Sequence, residues 1–325
     1  MQSDDSTLCT YSAVLMGSPV ELKLFHHDEA LASGVFRLIK SLENTFTVNR
    51  PNSEIMVINH AAGIAPVNVS QLVFNLVQQA LSLSLIPGSC FNLAIGPLVK
   101  CWKIGFQGNS IPAASSIAEK LALTDPKNIL MDQQNHSVYL LQKGMEIDLG
   151  AIAKGYIADC VRNYLQQQGV HAALINLGGN VHTLGSPPTA VHWSVGLKTP
   201  FSKENDFAGI INVSNKSVVT SGVYERFFEI DGKRYHHIFD PKTGYPLNND
   251  MLSVTVISAT SLEGDAWTTL LYGMGIDKAL AFLANKPELD AIFITHDHKI
   301  IISSQRHFSF TAVDPQYQVN TVGSA

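Results

Sequence analysis

The sequence predicts an α+β fold, with mixed sheets and packed helices, on three observations. Hydrophobic residues make up 46% and charged residues 15% of 325, a composition with a substantial core. Helical and strand-like stretches are mixed without a regular βαβα rhythm, which argues against a doubly wound parallel sheet. No clean linker, internal repeat or low-complexity segment divides the chain. Residues 15–325 therefore read as a single domain behind a short N-terminal extension, 1–14.

The elements follow in order. Tyr11 to Phe25 reads as two strands around the turn Gly17-Ser18-Pro19, with apolar residues alternating from Val20 to Leu24. Asp28 is placed to cap the helix that runs to about Thr45. Gln71 to Leu85 is a second helix, stopped by Pro87-Gly88. Phe91 to Val99 reads as a strand into a tight turn. A third helix opens near Ala151 and ends at Gln168, with Gly169 at the C′ position. Ala172 to Asn176 is a buried strand entering Gly178-Gly179. Further strands are Val191–Leu197, Gly209–Val213, Ser217–Thr220 and Phe227–Ile230. Ser253–Ser258 leads into a helix at Glu263–Met274, and Asp277–Ala284 is a short one. Ala291–Thr295 and Lys299–Ser303 pair around Asp297 as a closing hairpin.

Composition excludes several classes. The formal charge is −5 and no Lys/Arg cluster appears, so nucleic acid is not the expected partner. Cys9, Cys90, Cys101 and Cys160 lie far apart, without a CxxC pair, and read as buried or neutral thiols. Met1 to Ser6 is polar and acidic, unlike a signal peptide. The longest apolar stretch, Leu72 to Pro87, is interrupted by Asn75, Gln78 and Gln79. It is too polar to span a bilayer. The expectation is a cytoplasmic protein without a transmembrane segment.

Four stretches can carry chemistry. In Met145 to Tyr156 a strand ends at Asp148 and a helix opens near Ala151. Free N–H groups there, the helix dipole, Gly150 and the Lys154 ammonium suit a phosphate or pyrophosphate. The same residues also fit an ordinary helix capped by Asp148. In Tyr235 to Pro246 two histidines precede a turn-rich loop, Asp240-Pro241-Lys242-Thr243-Gly244. Adjacent strand residues face opposite sides, so one of His236 and His237 can serve as a base in a given site. In Thr260 to Thr269, Thr260 and Glu263 have capping-box spacing. Asp265 and Thr269 then share a helical face, where a carboxylate and a hydroxyl can reach one hard cation. A helix with a plain Asp/Thr contact has the same spacing. Phe91-Asn92-Leu93 fits an aromatic pocket or the core. His26-His27, and His296 with His298, read as solvated turns.

Taken together these stretches resemble the ApbE-type family of FAD:protein FMN transferases. The matching blocks are Met16-Gly17-Ser18, Arg50 to Ile55, Phe91 to Leu98, Asp148 to Tyr156, Asn176-Leu-Gly-Gly-Asn180, Ser221 to Arg226, His237 to Pro246 and Asp265 to Thr269. They fall in the family's order across most of the chain. The resemblance implies a two-lobed, T-fold-related catalytic unit. It implies that FAD is cleaved at its pyrophosphate, that FMN passes to a Thr or Ser hydroxyl of an acceptor flavoprotein, and that AMP leaves, with Mg²⁺ as cofactor.

By the same resemblance, Met16, Asn49, Phe91, Asn92, Leu93, Asp148, Lys154 and Phe239 contact the flavin nucleotide. His237 is the base. Asp265, Thr269 and the backbone carbonyl of Ala151 hold the metal. Two positions depart from the family pattern. Asn49 stands where an aromatic residue is frequent, and Asn92 where a carboxylate is. Two alternatives stay open: a metal-dependent FAD pyrophosphatase giving FMN and AMP, and a non-catalytic FAD-binding protein.

Overall fold

The computed structural model describes residues 7–106, 108–202 and 206–323. Met1 to Ser6, read as unlike a signal peptide, lie outside them. In chain order the elements are β1 (Cys9–Leu15), β2 (Ser18–Leu24), α1 (Glu29–Phe46), α2 (Glu54–His60), β3 (Val67–Asn68), α3 (Gln71–Ser84), α4 (Gly96–Trp102) and α5 (Ala114–Leu121). A 3₁₀ turn at Pro126–Asn128 precedes β4 (Ile129–Asp132), β5 (Ser137–Leu140), α6 (Ala153–Gln167), β6 (Ala173–Leu177), β7 (Asn180–Leu184), β8 (Trp193–Lys198) and β9 (Phe207–Val213). The chain continues through β10 (Ser217–Gly222), β11 (Phe227–Ile230), β12 (Lys233–His236), β13 (Met251–Ser258), α7 (Ser261–Met274) and α8 (Ile276–Leu283). It ends with β14 (Asp290–Thr295), β15 (Lys299–Ile302), β16 (Ser309–Ala312) and β17 (Gln318–Thr321). Helices and strands are interleaved, and the fold class is α+β.

The chain packs into two compact units, each assembled from separated segments. One comprises 1–43, 154–222 and 250–325; the other comprises 44–153 and 223–249. Within the expected N-terminal extension, Cys9 to Val14 form most of β1, paired with β2. Among the described residues, no helix is long and apolar enough to cross a membrane. All four cysteines are free and half-buried.

The first unit is built on a nine-stranded sheet in the order β1-β2-β6-β7-β10-β13-β14-β15-β17. Every pairing is antiparallel except the last, which is parallel. The Lys299 strand therefore does not close the fold; β17 pairs beyond it, and β16 joins β9 and β8 in a smaller sheet. β13 and β14 are buried along their whole length, so both faces of the sheet centre are covered. α1 buries Leu31, Val35, Ile39 and Leu42 at helical spacing. Asp28 caps α1 as expected, its Oδ1 accepting the Leu31 N–H at 2.8 Å. Gly169, at φ 77°, ends α6.

Two tight hairpin turns shape one end of this sheet. β1 and β2 are joined by Met16 and Gly17, both at positive φ (52° and 67°), so the turn lies one residue before the expected one. β6 and β7 are joined by Gly178 and Gly179, at φ 62° and 92°. A Cβ on Gly178 would run into the Ser18 hydroxyl and lie 3.2 Å from Lys154 Nζ.

The second unit packs α4 and α5 around Trp102, with Leu98, Ile104, Ile117, Tyr235 and Phe239. The Trp102 ring lies 5.8 Å from Tyr235 and 6.1 Å from Phe239, and its Nε1–H donates to the Gly244 carbonyl at 2.9 Å. That bond ties the Asp240–Gly244 loop to the core. Two expectations are corrected here. Phe91 to Val99 is not a strand. Asn92 Oδ1 accepts the Ala94 N–H at 2.9 Å, a local turn, and α4 starts at Gly96 with Pro97 in its first turn. Among the described residues, Met145 to Asp148 forms no strand and pairs with none. The Asn59 amide replaces a partner strand, donating to the Ile147 carbonyl at 3.0 Å and accepting its N–H at 2.8 Å.

Candidate active site

In the first unit, α6 and α7 are clamped together by carboxylates. Thr260 caps α7 as expected, its Oγ1 accepting the Glu263 N–H at 3.3 Å. Asp159 on α6 accepts the first two N–H groups of α7, Ser261 at 2.9 Å and Leu262 at 3.0 Å. In return, Asp265 on α7 accepts the Gly155 N–H, in the first turn of α6, at 2.5 Å. Each helix N-terminus is closed by a carboxylate of the other, where the helix dipole favours negative charge. The approach is close: a Cβ on Gly155 would run into the Ser261 carbonyl. Gly155→Ala is expected to destabilise the protein by about 1–3 kcal/mol. An unchanged urea midpoint at constant m would contradict this.

Asp265 carries the site's electrostatics. Its second oxygen accepts Asn180 Nδ2–H at 2.9 Å. Burial pushes its pKa up to about 7, opposed by those two hydrogen bonds and by the Lys154 ammonium, while Asp159 pushes it further up. Near neutral pH this carboxylate is under-compensated, and an added cation would relieve it. Thr269 follows four residues on along α7. Among the described residues, no cluster of three or more His, Cys, Asp or Glu side chains could hold a metal. A carboxylate with a hydroxyl is a hard-oxygen set, which fits magnesium completed by carbonyl oxygen or water and not a softer metal.

Behind this pair lies a buried polar chain: His182 Nδ1 to Ser261 Oγ at 2.9 Å, and Ser261 Oγ to Ser217 Oγ at 2.9 Å. Burial, reinforced by Arg162, lowers the His182 pKa to about 3. The folded state thus refuses a proton that the unfolded chain takes up near 6.5. His182 contributes stability fully above that pH and loses it as pH falls toward 3, by at most about 5 kcal/mol. Asp265 acts with the opposite sign between about 7 and 3.8. His182→Asn is therefore expected to flatten the fall of melting temperature between pH 7 and pH 4.5. Equal slopes for variant and parent would contradict this.

The helix opening is less free than its sequence implies. The N–H groups of Ile152 and Ala153 are taken by the Leu149 carbonyl, at 3.0 and 2.8 Å, and that of Gly155 by Asp265. Asp148 does not cap this helix, which starts at Ala153. Its Oδ1 accepts the Gly150 N–H at 2.7 Å in a local turn. Burial raises its pKa, against the Gly150 bond and Arg226. In the same unit, Asp148 N–H donates to the Leu93 carbonyl at 2.9 Å, joining two of the expected contacts through backbone. Ala151 is exposed.

Phe91 and Asn92 line a cavity of about 280 Å³ with Ser89, Thr124, Asp125 and Lys242. Asn92 is fastened by its Nδ2–H to the Thr124 carbonyl at 2.8 Å. Leu93 is fully buried. Phe239, expected at the cofactor, packs its ring on Trp102. Asn49 is exposed in a bend.

The two histidines divide, His236 ending β12 and His237 lying just beyond it. His236 is buried, its Nε2 donating to the Leu247 carbonyl at 2.8 Å and its Nδ1 accepting the Ile238 N–H at 3.2 Å. Burial, with Arg234 beside it, lowers its pKa to about 4 against the Leu247 bond. It is locked as a structural group. His237 is half-buried, and its Nδ1 faces the Arg226 carbonyl at 3.2 Å. That partner makes Nδ1 the donor and leaves the ring lone pair on Nε2.

Comparison with known proteins agrees with this arrangement of motifs. The model of the ApbE family matches residues 16–293. The chain belongs to the ApbE family. A relative from Klebsiella pneumoniae, named FAD:protein FMN transferase, is 57% identical over 97% of this chain and 98% of its own length. One of the same name from Treponema pallidum is 37% identical over 83% and 78%. Among solved structures, the flavin transferase ApbE from Vibrio cholerae superposes with a TM-score of 0.79 at 25% identity, covering 94% of this chain and 97% of that one. The ApbE protein from Thermotoga maritima gives 0.79 at 29% identity, covering 89% and 94%. Membership makes this ApbE-family chain an enzyme of the transferase class.

Sequence reasoning missed Asn180, Asp159 and the Gly155 N–H as partners of the site. Asn180 stood in the Asn176–Asn180 motif, which was the available signal. The clamp itself joins residues 110 apart in the chain and leaves no local pattern.

Proposed function

We propose that this enzyme transfers the FMN moiety of FAD to a Thr or Ser hydroxyl of an acceptor flavoprotein, releasing AMP, with magnesium. The observation that carries the reading is 57% identity over nearly the whole chain to a protein named for this reaction. The hard-oxygen character of Asp265 and Thr269 supports the metal.

Asp265 and Thr269 are the side-chain ligands, and the family resemblance adds the Ala151 carbonyl. Magnesium held there would supply charge neutralisation for the pyrophosphate and the departing AMP. Lys154 adds a positive charge toward the phosphates, a role the committed N–H groups of Ile152, Ala153 and Gly155 do not fill. Phe91, Asn92 and Leu93, with Met16, Asn49, Asp148 and Phe239, bind the flavin nucleotide. His237, through Nε2, takes the proton of the acceptor hydroxyl. The hydroxyl oxygen bonds to the FMN phosphorus as the bond to the AMP oxygen breaks. Such a transfer rests on positioning and charge stabilisation.

Chromatography of the products separates this reading from its alternatives. With FAD, magnesium and a candidate acceptor, AMP should appear in step with flavin bound to the acceptor. AMP with equal free FMN would mean hydrolysis. Bound FAD without AMP would mean a carrier.

A further inference from the structure

The Asn176–Asn180 hairpin reaches the same carboxylate, and its geometry has an asymmetry. Asn180 is 2% exposed and opens β7, where its backbone pairs with Leu177 and Val219. Its Nδ2 donates to Asp265 Oδ1 at 2.9 Å. Its own Oδ1 is buried and has no hydrogen-bond partner; among the described residues it shares that condition only with Thr199 Oγ1 and Ser253 Oγ. A buried unpaired amide oxygen is costly, and proteins rarely keep one without a use. Turning the amide over would set its oxygen against the carboxylate oxygen, so the orientation is dictated by Asp265.

The rest of the hairpin serves the same end. Asn176 Oδ1 accepts the Gly179 N–H at 3.0 Å and fastens the turn. Gly178, at φ 62°, leaves room beside Lys154 Nζ where a side chain would intrude. The Gly155 N–H holds the other oxygen of Asp265. The carboxylate is thereby gripped at both oxygens from two different elements, α6 and β7.

We propose that Asn180 is a positioning residue for the metal site, its Nδ2 holding the Asp265 carboxylate in the orientation that magnesium requires while its own Oδ1 stays unpaired. The inference rests on the reading of Asp265 as a magnesium ligand. Partners that orient a metal's ligands contribute about 10–100-fold in metal affinity. In Asn180→Ala one hydrogen bond is lost, but the unpaired oxygen goes with it. The buried Asp265 carboxylate also loses one of its two donors, so the metal-free fold should be modestly weakened, while metal binding suffers most.

The test is calorimetric titration of magnesium into metal-stripped full-length protein, with melting temperatures measured with and without magnesium. Asn180→Ala should bind magnesium about 10–100-fold more weakly. Its metal-free melting temperature should fall by only about a few degrees, and high magnesium should restore turnover. Asn180→Ser serves if the alanine variant does not fold. Parent-like magnesium affinity in Asn180→Ala, with binding lost in Asp265→Ala, would overturn this inference alone. Parent-like affinity in Asp265→Ala would overturn the metal reading beneath it. A large fall in metal-free melting temperature with unchanged affinity would assign Asn180 to the fold.

Discussion

Asp265→Asn is expected to abolish magnesium-dependent turnover and, at the same time, to raise the melting temperature of the metal-free protein. The two effects have one cause. Asp265 is held as a carboxylate in a site whose burial raises its pKa to about 7, far above that of an exposed carboxyl. Since the folded pKa lies above the unfolded one, ionisation opposes folding; the penalty grows as pH rises from about 4 and is complete above about 7. The shift sets it at about 4 kcal/mol at most. The neutral amide escapes it. It can keep the Gly155 N–H on its oxygen and offer its own N–H to the Asn180 oxygen, once that amide turns over. If Asp265 holds magnesium as proposed, the variant loses the charged ligand and with it the metal's several kcal/mol of transition-state stabilisation, about a thousandfold in rate. Thermal melts at pH 8 and pH 4.5, beside a turnover assay, check both parts. The stability gain should be present at the higher pH and largely gone at the lower. Full activity in the variant would remove Asp265 from the metal site.

His237→Ala is expected to lower kcat by about 10²–10⁴-fold while FAD binding is retained. The Arg226 carbonyl, 3.2 Å from Nδ1, fixes the tautomer that carries the lone pair on Nε2. His236 cannot substitute, because both its ring nitrogens are bonded to backbone within the same loop. Fluorescence titration with FAD, followed by single-turnover measurement, separates binding from transfer. If the variant fails to bind FAD, His237 has a structural role instead of a proton-accepting one.

What could be read from the sequence was local. Asp28, Thr260 with Glu263, and Gly169 end or begin helices by spacing alone, and each does so in the structure. The Asp265 and Thr269 positions on one helix were legible for the same reason. Phe91 to Val99 was misread because its apolar run resembles a strand, whereas Asn92 and Pro97 turn it into a loop and a helix. Met145 to Asp148 was misread because its backbone is satisfied by a side chain, Asn59, 88 residues away. A two-lobed unit was expected from the family resemblance, but the boundaries between the two units were not legible. The chain crosses between them at 43/44, 153/154, 222/223 and 249/250, inside or beside regular elements and without a linker composition. Nor was the grip on Asp265, whose partners are 85 and 110 residues distant.

The central claim is that FMN becomes attached to protein. The most direct measurement is the intact mass of an acceptor flavoprotein after incubation with the enzyme, FAD and magnesium, with the modified residue mapped by fragmentation. The account predicts one FMN phosphoester on a Thr or Ser, absent when that residue is Ala or when magnesium is removed. Release of AMP and free FMN, with every acceptor left at its original mass, would contradict it.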